Sequence, residues 1–257
     1  MKKIILSLLV FVFSLHIGFA GVFPTEGEED KKDKKDKKSI KSTSAQPDVP
    51  GALVIEVANN ILTNAPDNMK LNQWKSWTIN VYYMYEMDFG ESAFSFNPGF
   101  GVGIEKFHFN ENYTLTNVND DFNTEITPLR NVLPTAEVYR STSWNQLFLD
   151  VPFEFRWYAS KEFKRKSFKI AAGGKIGFLI DSKTKIVYDE FDTKKKKRKQ
   201  KENFNFISPR YGVYTRVGFG AVSLYYYYSI TEVFKNKRGP EETRARNMMV
   251  GISISGF

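Results

Sequence analysis

The chain has 257 residues, a formal net charge of +8, 13 Tyr, 23 Phe and no Cys. Without cysteine there is no disulfide, thiolate nucleophile, cysteine-based zinc site or lipoprotein anchor. A pI near 9.3 invites a nucleic-acid reading, but much of the basic excess sits in two short runs.

Residues 1–20 read MKKIILSLLVFVFSLHIGFA. Lys2 and Lys3 precede an apolar stretch, Ile4 to Leu15, and Gly18 and Ala20 supply small residues near a cleavage point. This is the pattern of a secretory signal peptide, removed on export, and export makes nucleic acid an unsuitable partner. No later stretch approaches the roughly 18 apolar residues that a membrane helix needs. Residues 21–50 are charged in blocks and poor in apolar side chains. They cannot bury enough surface to offset their ordering entropy, so they read as a disordered periplasmic tether. The lysines between Lys31 and Lys41 could touch anionic lipid, although a plain tether is the simpler expectation.

From residue 51 the period is two. Leu53, Ile55 and Val57 alternate with Val54, Glu56 and Ala58. Ile79, Val81, Tyr83, Tyr85 and Met87 alternate with Thr78, Asn80, Tyr82, Met84 and Glu86. Six further segments follow, over 94–105, 147–157, 168–181, 211–219, 222–230 and 248–255. Successive side chains of a strand point to opposite faces. Each segment therefore has one apolar face and one polar or small face. Eight segments of about ten residues match the strand length and even strand count of outer-membrane barrels.

A soluble sandwich would also alternate. Two features favour the membrane barrel over residues 51–257. The polar faces carry Glu56, Glu86, Glu105, Asp150, Glu154, Arg156, Lys169, Lys175 and Arg216, interspersed with glycines such as Gly101, Gly103, Gly173 and Gly177. Acids and bases nearly balance, as an interior ion-pair network needs, and glycines leave room for long charged chains inside. The connections also alternate in length. Those near 88–90, 159–166 and 220 are short, while 60–74, 110–143, 182–203 and 231–246 are long. Outer-membrane barrels have short periplasmic turns and long outer loops. The expected fold is thus an all-β, eight-stranded antiparallel transmembrane barrel in the cell outer membrane. Trp74, Trp77, Trp144 and Trp157 fall near strand ends, where interfacial girdles form. Eight strands leave a lumen that side chains fill, so no open pore is expected. Ser255, Ser253 and Gly251 occupy positions that a terminal barrel-assembly signal would make apolar, which suggests a register break in the last turn.

Several stretches look like the PorT-like outer-membrane barrel family: FSFNPGFGVGIEKFHF (94–109), LDVPFEFRWY (149–158), FKIAAGGKIGFLIDSKTK (168–185) and RYGVYTRVGFGAVSLYYYYSITEVF (210–234). The resemblance spans residues 51–257. It implies the barrel fold and an envelope location. For some members it further implies a part in protein secretion across the outer membrane, in the type IX system.

The run Lys194, Lys195, Lys196, Lys197, Arg198, Lys199, Gln200, Lys201 falls in a long outer loop. It could hold the phosphates of lipopolysaccharide or an acidic partner; a solvated, mobile loop tip is the plainer reading. His108 is the only histidine outside the leader. It falls near the outer end of its strand, with Ser141 and Ser143 across the loop, which leaves a lipid A-modifying rim enzyme as an alternative. No paired carboxylates or metal-ligand cluster stand out. The glycines of 99–103 alternate within a strand, with no helix after them, so they are not a dinucleotide loop. The expectation is a non-enzymatic envelope scaffold or accessory component, with no cofactor. Its partners would be outer-membrane lipid, lipopolysaccharide and envelope or secretion proteins. A narrow pore is the third reading.

Overall fold

The computed structural model describes residues 51–117, 123–191 and 193–256. The expected signal peptide at 1–20, the expected tether at 21–50 and Phe257 lie outside the described residues. Among the described residues are twelve strands: β1 (Ala52–Thr63), β2 (Trp77–Met84), β3 (Met87–Asp88), β4 (Phe94–His108), β5 (Tyr113–Asn117), β6 (Thr124–Pro128), β7 (Val138–Tyr158), β8 (Phe168–Glu190), β9 (Thr193–Lys201), β10 (Arg210–Phe219), β11 (Val222–Ser229) and β12 (Arg246–Ser255).

Eight of them close into an antiparallel barrel in the order β1-β2-β4-β7-β8-β10-β11-β12, with β12 paired back to β1. Closure satisfies every neighbouring backbone edge, which a hydrocarbon solvent could not do. The seam runs from Val54 opposite Ser255 to Thr63 opposite Arg246 without a shift. The register break expected in the last turn is therefore absent through Ser255, because Ser253 and Ser255 simply continue the inward face of β12.

The alternation sets the two faces. Phe100 and Leu224 are 63% and 64% exposed, and Ile79, Val102, Phe153, Ile176, Val213 and Val250 are exposed like them. Their neighbours Asn80, Asp150, Glu154, Lys175 and Arg216 are buried. A soluble monomer rarely exposes a contiguous apolar patch beyond a few hundred Å². Here apolar side chains cover the outside on every barrel strand, and the polar set fills the inside. Short turns join the strands at one end. The tightest is β10–β11, where Gly220 takes φ +59, a left-handed conformation that costs glycine nothing.

At the opposite end β7 and β8 run on past the barrel. The register slips between Leu147 and Phe148, leaving Ile180 as an extra residue on β8. One extra residue reverses the facing of everything beyond it. Above this bulge, β7, β8 and β9 form a sheet that projects from the barrel mouth. A short helix, α1 (Leu129–Val132), lies against it, with Leu129, Leu133 and Ile186 in one small core. Over the mouth, a larger core gathers Met69, Phe107, Phe109, Leu115, Trp144, Phe204, Phe206, Val233 and Phe234. Trp144 stacks on Phe107 at 4.7 Å and is fully buried. It caps the barrel, so it does not join the interfacial girdle expected of it. Its inward parity carries it over the lumen.

Candidate functional site

The lumen is built by parity: of the nine charged residues placed on the polar faces, eight lie inside it and Glu86 does not. Glu56, Glu105, Asp150, Glu154, Arg156, Lys169, Lys175 and Arg216 are all buried. Two clusters form. In the first, Arg216 donates to Glu56 Oε1 from Nη2 at 2.6 Å and from Nε at 3.0 Å, and also pairs with Glu154. Arg156 shares Glu154, and Asn80 donates to Glu56 at 2.7 Å. In the second, nearer the outer mouth, Arg210 pairs with Glu105 and lies 3.4 Å from Asp150. Asp150 also accepts from Tyr82 Oη at 2.8 Å and faces Lys175 at 3.4 Å. Lys175 sits 4.5 Å from the Tyr227 ring centroid and Arg216 sits 4.7 Å from that of Tyr214. These rings supply the face-on contacts that desolvated cations favour.

Arg210 is missing from the sequence-based set. It lies one step before the alternating segment that begins at Tyr211, and extending the period back from Gly212 would have found it. Glu86 departs the other way. It lies past the end of β2, half-buried at the short-turn rim, where it accepts from Tyr158 Oη at 2.9 Å. Lys169 donates to Ser255 Oγ at 2.6 Å. The glycines act as anticipated at Gly103 and Gly177. A Cβ on Gly103 would stand 2.7 Å from Asn80 Oδ1 and 2.8 Å from Asp150 Oδ2. One on Gly177 would overlap Asp150 and come 2.8 Å from Arg210 Nε. Both positions stay bare so that the Asp150–Arg210 pair fits.

Near the mouth the lumen retains a cavity of about 20 Å³ between Arg210, Glu105, Gln146 and Asn247, on the scale of one water molecule. The basic run is β9 itself. It pairs with β8 from Lys183 opposite Lys201 to Tyr188 opposite Lys196, so it is an edge strand and not a mobile loop tip. Lysine is a poor strand former; the long partner β8 holds it extended.

Residues 39–235 match the family model for the outer membrane protein beta-barrel domain. The chain belongs to this family. The matched region ends before β12, the strand that completes the outer-membrane barrel. No curated protein matches the chain. Among solved structures it is similar to Ail, the attachment invasion locus protein of Yersinia pestis, solved with the heparin analogue sucrose octasulfate. Identity is 11% and the TM-score 0.34, over 80% of this chain and 97% of Ail.

The outer-membrane barrel places Ser143 directly across from His108, with Ser141 one row further out. His108 is buried, its backbone N–H donates to Ser76 Oγ at 2.9 Å, and its Nδ1 has no hydrogen-bond partner among the described residues. Among the described residues no carboxylate reaches Nδ1 to orient the imidazole.

At the tip of the outer sheet, Asp189 accepts from Arg140 Nε at 2.6 Å and Nη2 at 2.5 Å, and from the Lys195 amide at 2.8 Å. The Arg140 hydrogen bonds, followed by the Lys195 amide, hold its carboxyl down at about 2, below the usual 3.8. A depressed carboxyl stabilises its contacts fully above the unfolded pKa and loses them as pH falls through the folded one. The Lys195 amide signal should therefore hold constant above about pH 4 and shift with a midpoint near 2 in an NMR titration. Arg140→Gln should move that midpoint up towards 3.8.

Proposed function

We propose that the protein is a non-enzymatic, non-conducting envelope barrel. It serves as a scaffold or accessory component whose working surface is the ordered outer sheet. The observation that carries this reading is the lumen: Arg216, Arg210, Lys175 and their carboxylates fill it, and the aromatic core around Trp144 lies over its mouth. A filled lumen leaves surface recognition as the available work. The PorT-like resemblance of 94–109, 149–158, 168–185 and 210–234 supports an accessory role in protein secretion. In that role the outer loops, or residues 21–50, would meet envelope proteins.

Planar-bilayer recording tests the sealed lumen. The purified barrel should add no steady conductance over bare lipid. Stable unitary steps would favour the pore instead. Crosslinking and pull-down from outer membranes should recover secretion subunits, and consistent recovery of none would count against the secretion role. The rim-enzyme alternative draws on the His108–Ser143 juxtaposition. The Nδ1 of His108, unpartnered among the described residues, weighs against it, and lipid A mass spectra from His108→Ala cells should match wild type.

A further inference from the structure

The seven bases of β9 do not act as one group, because a strand divides them between two faces. Arg198 pairs across from Ile186 and donates to the Val132 carbonyl at 3.3 Å, and Lys196 meets Glu190. That side of the sheet is the one covered by α1. Lys197, Lys199 and Lys201 turn to the other side.

The register shows what that other side is. One row across the sheet reads Trp77, Lys106, Asn145, Lys183, Lys201. The next row out reads His108, Ser143, Lys185, Lys199, and beyond it Ser141, Val187, Lys197. Residues paired directly across strands share a face. Lys106 follows Ile104 by two residues, and Asn145 precedes Leu147 by two, so these rows continue the lipid-facing surface upward. At about 3.3 Å per residue, the lysines begin roughly 7 Å above the last apolar side chains. Lys183 and Lys185 reach this face only because Ile180 is an extra residue. Without that bulge they would point inward.

The plane is poorly neutralised from within. Among the described residues Asp181 is the acid that pairs with it, 2.9 Å from Lys201 and 4.0 Å from Lys183. Lys185 stands opposite Lys199, and Lys183 opposite Lys201. Like charges directly opposite one another destabilise a strand pair. Lys106 lies 5.8 Å from the Trp77 ring centroid, at the edge of the apolar band. A row of cations set just above a hydrocarbon-facing surface is complementary to anionic headgroups at that height.

We propose that Lys106, Lys183, Lys185, Lys197, Lys199 and Lys201 form a binding face for the phosphate groups of the glycolipid of the outer leaflet. The proposal rests on the outer sheet as the working surface and specifies what that sheet grips. A lipid headgroup fits better than a soluble polyanion, because the cations share one plane with the lipid-facing side chains. The bases on the covered side are held by Glu190 and the Val132 carbonyl.

The test is a titration of the full-length protein in detergent with purified lipopolysaccharide, followed by intrinsic tryptophan fluorescence. Lys183→Gln/Lys185→Gln/Lys199→Gln should raise the dissociation constant roughly 100-fold, at about fivefold per lysine near an anionic surface. Lys194→Gln/Lys235→Gln/Lys237→Gln removes the same charge elsewhere on the outside and should change it by about twofold or less. Phosphatase-treated lipopolysaccharide should bind wild type as weakly as intact lipid binds the first variant, and inorganic phosphate at equal concentration should not compete. Should the triple variant misfold, Lys199→Gln alone, exposed on the edge strand, should still give the fivefold loss. Equal weakening in both triple variants, undiminished binding of dephosphorylated lipid, or full competition by inorganic phosphate would overturn the proposal. Conductance reads the sealed lumen separately, so either idea can fail without the other.

Discussion

Arg216→Met should cost about 3–5 kcal/mol of barrel stability, read as a lower urea midpoint for unfolding in detergent micelles. Arg216 serves two carboxylates at once. Removing it leaves Glu56 with Asn80 as its remaining donor, and Glu154 with Arg156. Glu56 and Glu154 are fully buried. A buried carboxylate stripped of its cation loses the attraction but keeps the desolvation cost, which is why breaking such a pair is far worse than never having had it. The same logic predicts a partial rescue. Arg216→Met/Glu56→Gln removes the stranded charge and should recover a large part of the loss. An exposed pair provides the contrast. Lys70 and Asp67 sit at 2.9 Å with side chains 64% and 95% exposed; Lys70→Ala should leave the urea midpoint unchanged, because water screens the pair. Equal effects at the two sites would mean that the lumen is hydrated and screened.

Phe153→Arg should destabilise the folded barrel by about 2–4 kcal/mol, measured by the same unfolding in lipid vesicles. Phe153 lies midway along the barrel part of β7, opposite Pro98 on β4 and Gly174 on β8, and faces outward. A guanidinium there is held in the hydrocarbon, with the interfaces at their most distant. Near the bilayer midplane that cost is largest, and it falls to about 0–1 kcal/mol towards the rims. Phe153→Leu keeps the apolar surface and should be close to neutral. If Phe153→Arg were tolerated like a surface change, that face would be in water.

The parity of the chain made most of the lumen readable in advance. Glu56, Glu105, Asp150, Glu154, Arg156, Lys169, Lys175 and Arg216 each follow from their neighbours' alternation, because a closed sheet gives every residue one of two directions. What was missed lies where that rule stops or slips. Arg210 sits one residue outside the chosen segment. Glu86 keeps the inward parity but lies beyond β2, where the wall no longer encloses it. The bulge at Ile180 breaks the period, and no local feature of FLIDS announces it. From sequence alone β9 reads as a loop, because seven bases in eight suggest repulsion and solvent. The counter-signal was Lys185-Ile186-Val187-Tyr188, a strand-like stretch that continues past the barrel and can template an edge. The cap core is the least legible part. Met69, Leu115, Phe204 and Phe234 come from separate connections and Trp144 from β7, and their meeting depends on the barrel that brings the loops together.

Because the chain has no cysteine, single-cysteine labelling can read the direction of each side chain directly. A fluorophore placed through Ile79→Cys, Phe153→Cys or Leu224→Cys in vesicles should be strongly quenched by nitroxide-bearing lipid. One placed through Asn80→Cys or Ser223→Cys, a single residue away along the same strands, should be shielded from it. The reverse pattern, or quenching that does not alternate along β2 and β11, would contradict a barrel that wears its apolar side chains outward and encloses its charges.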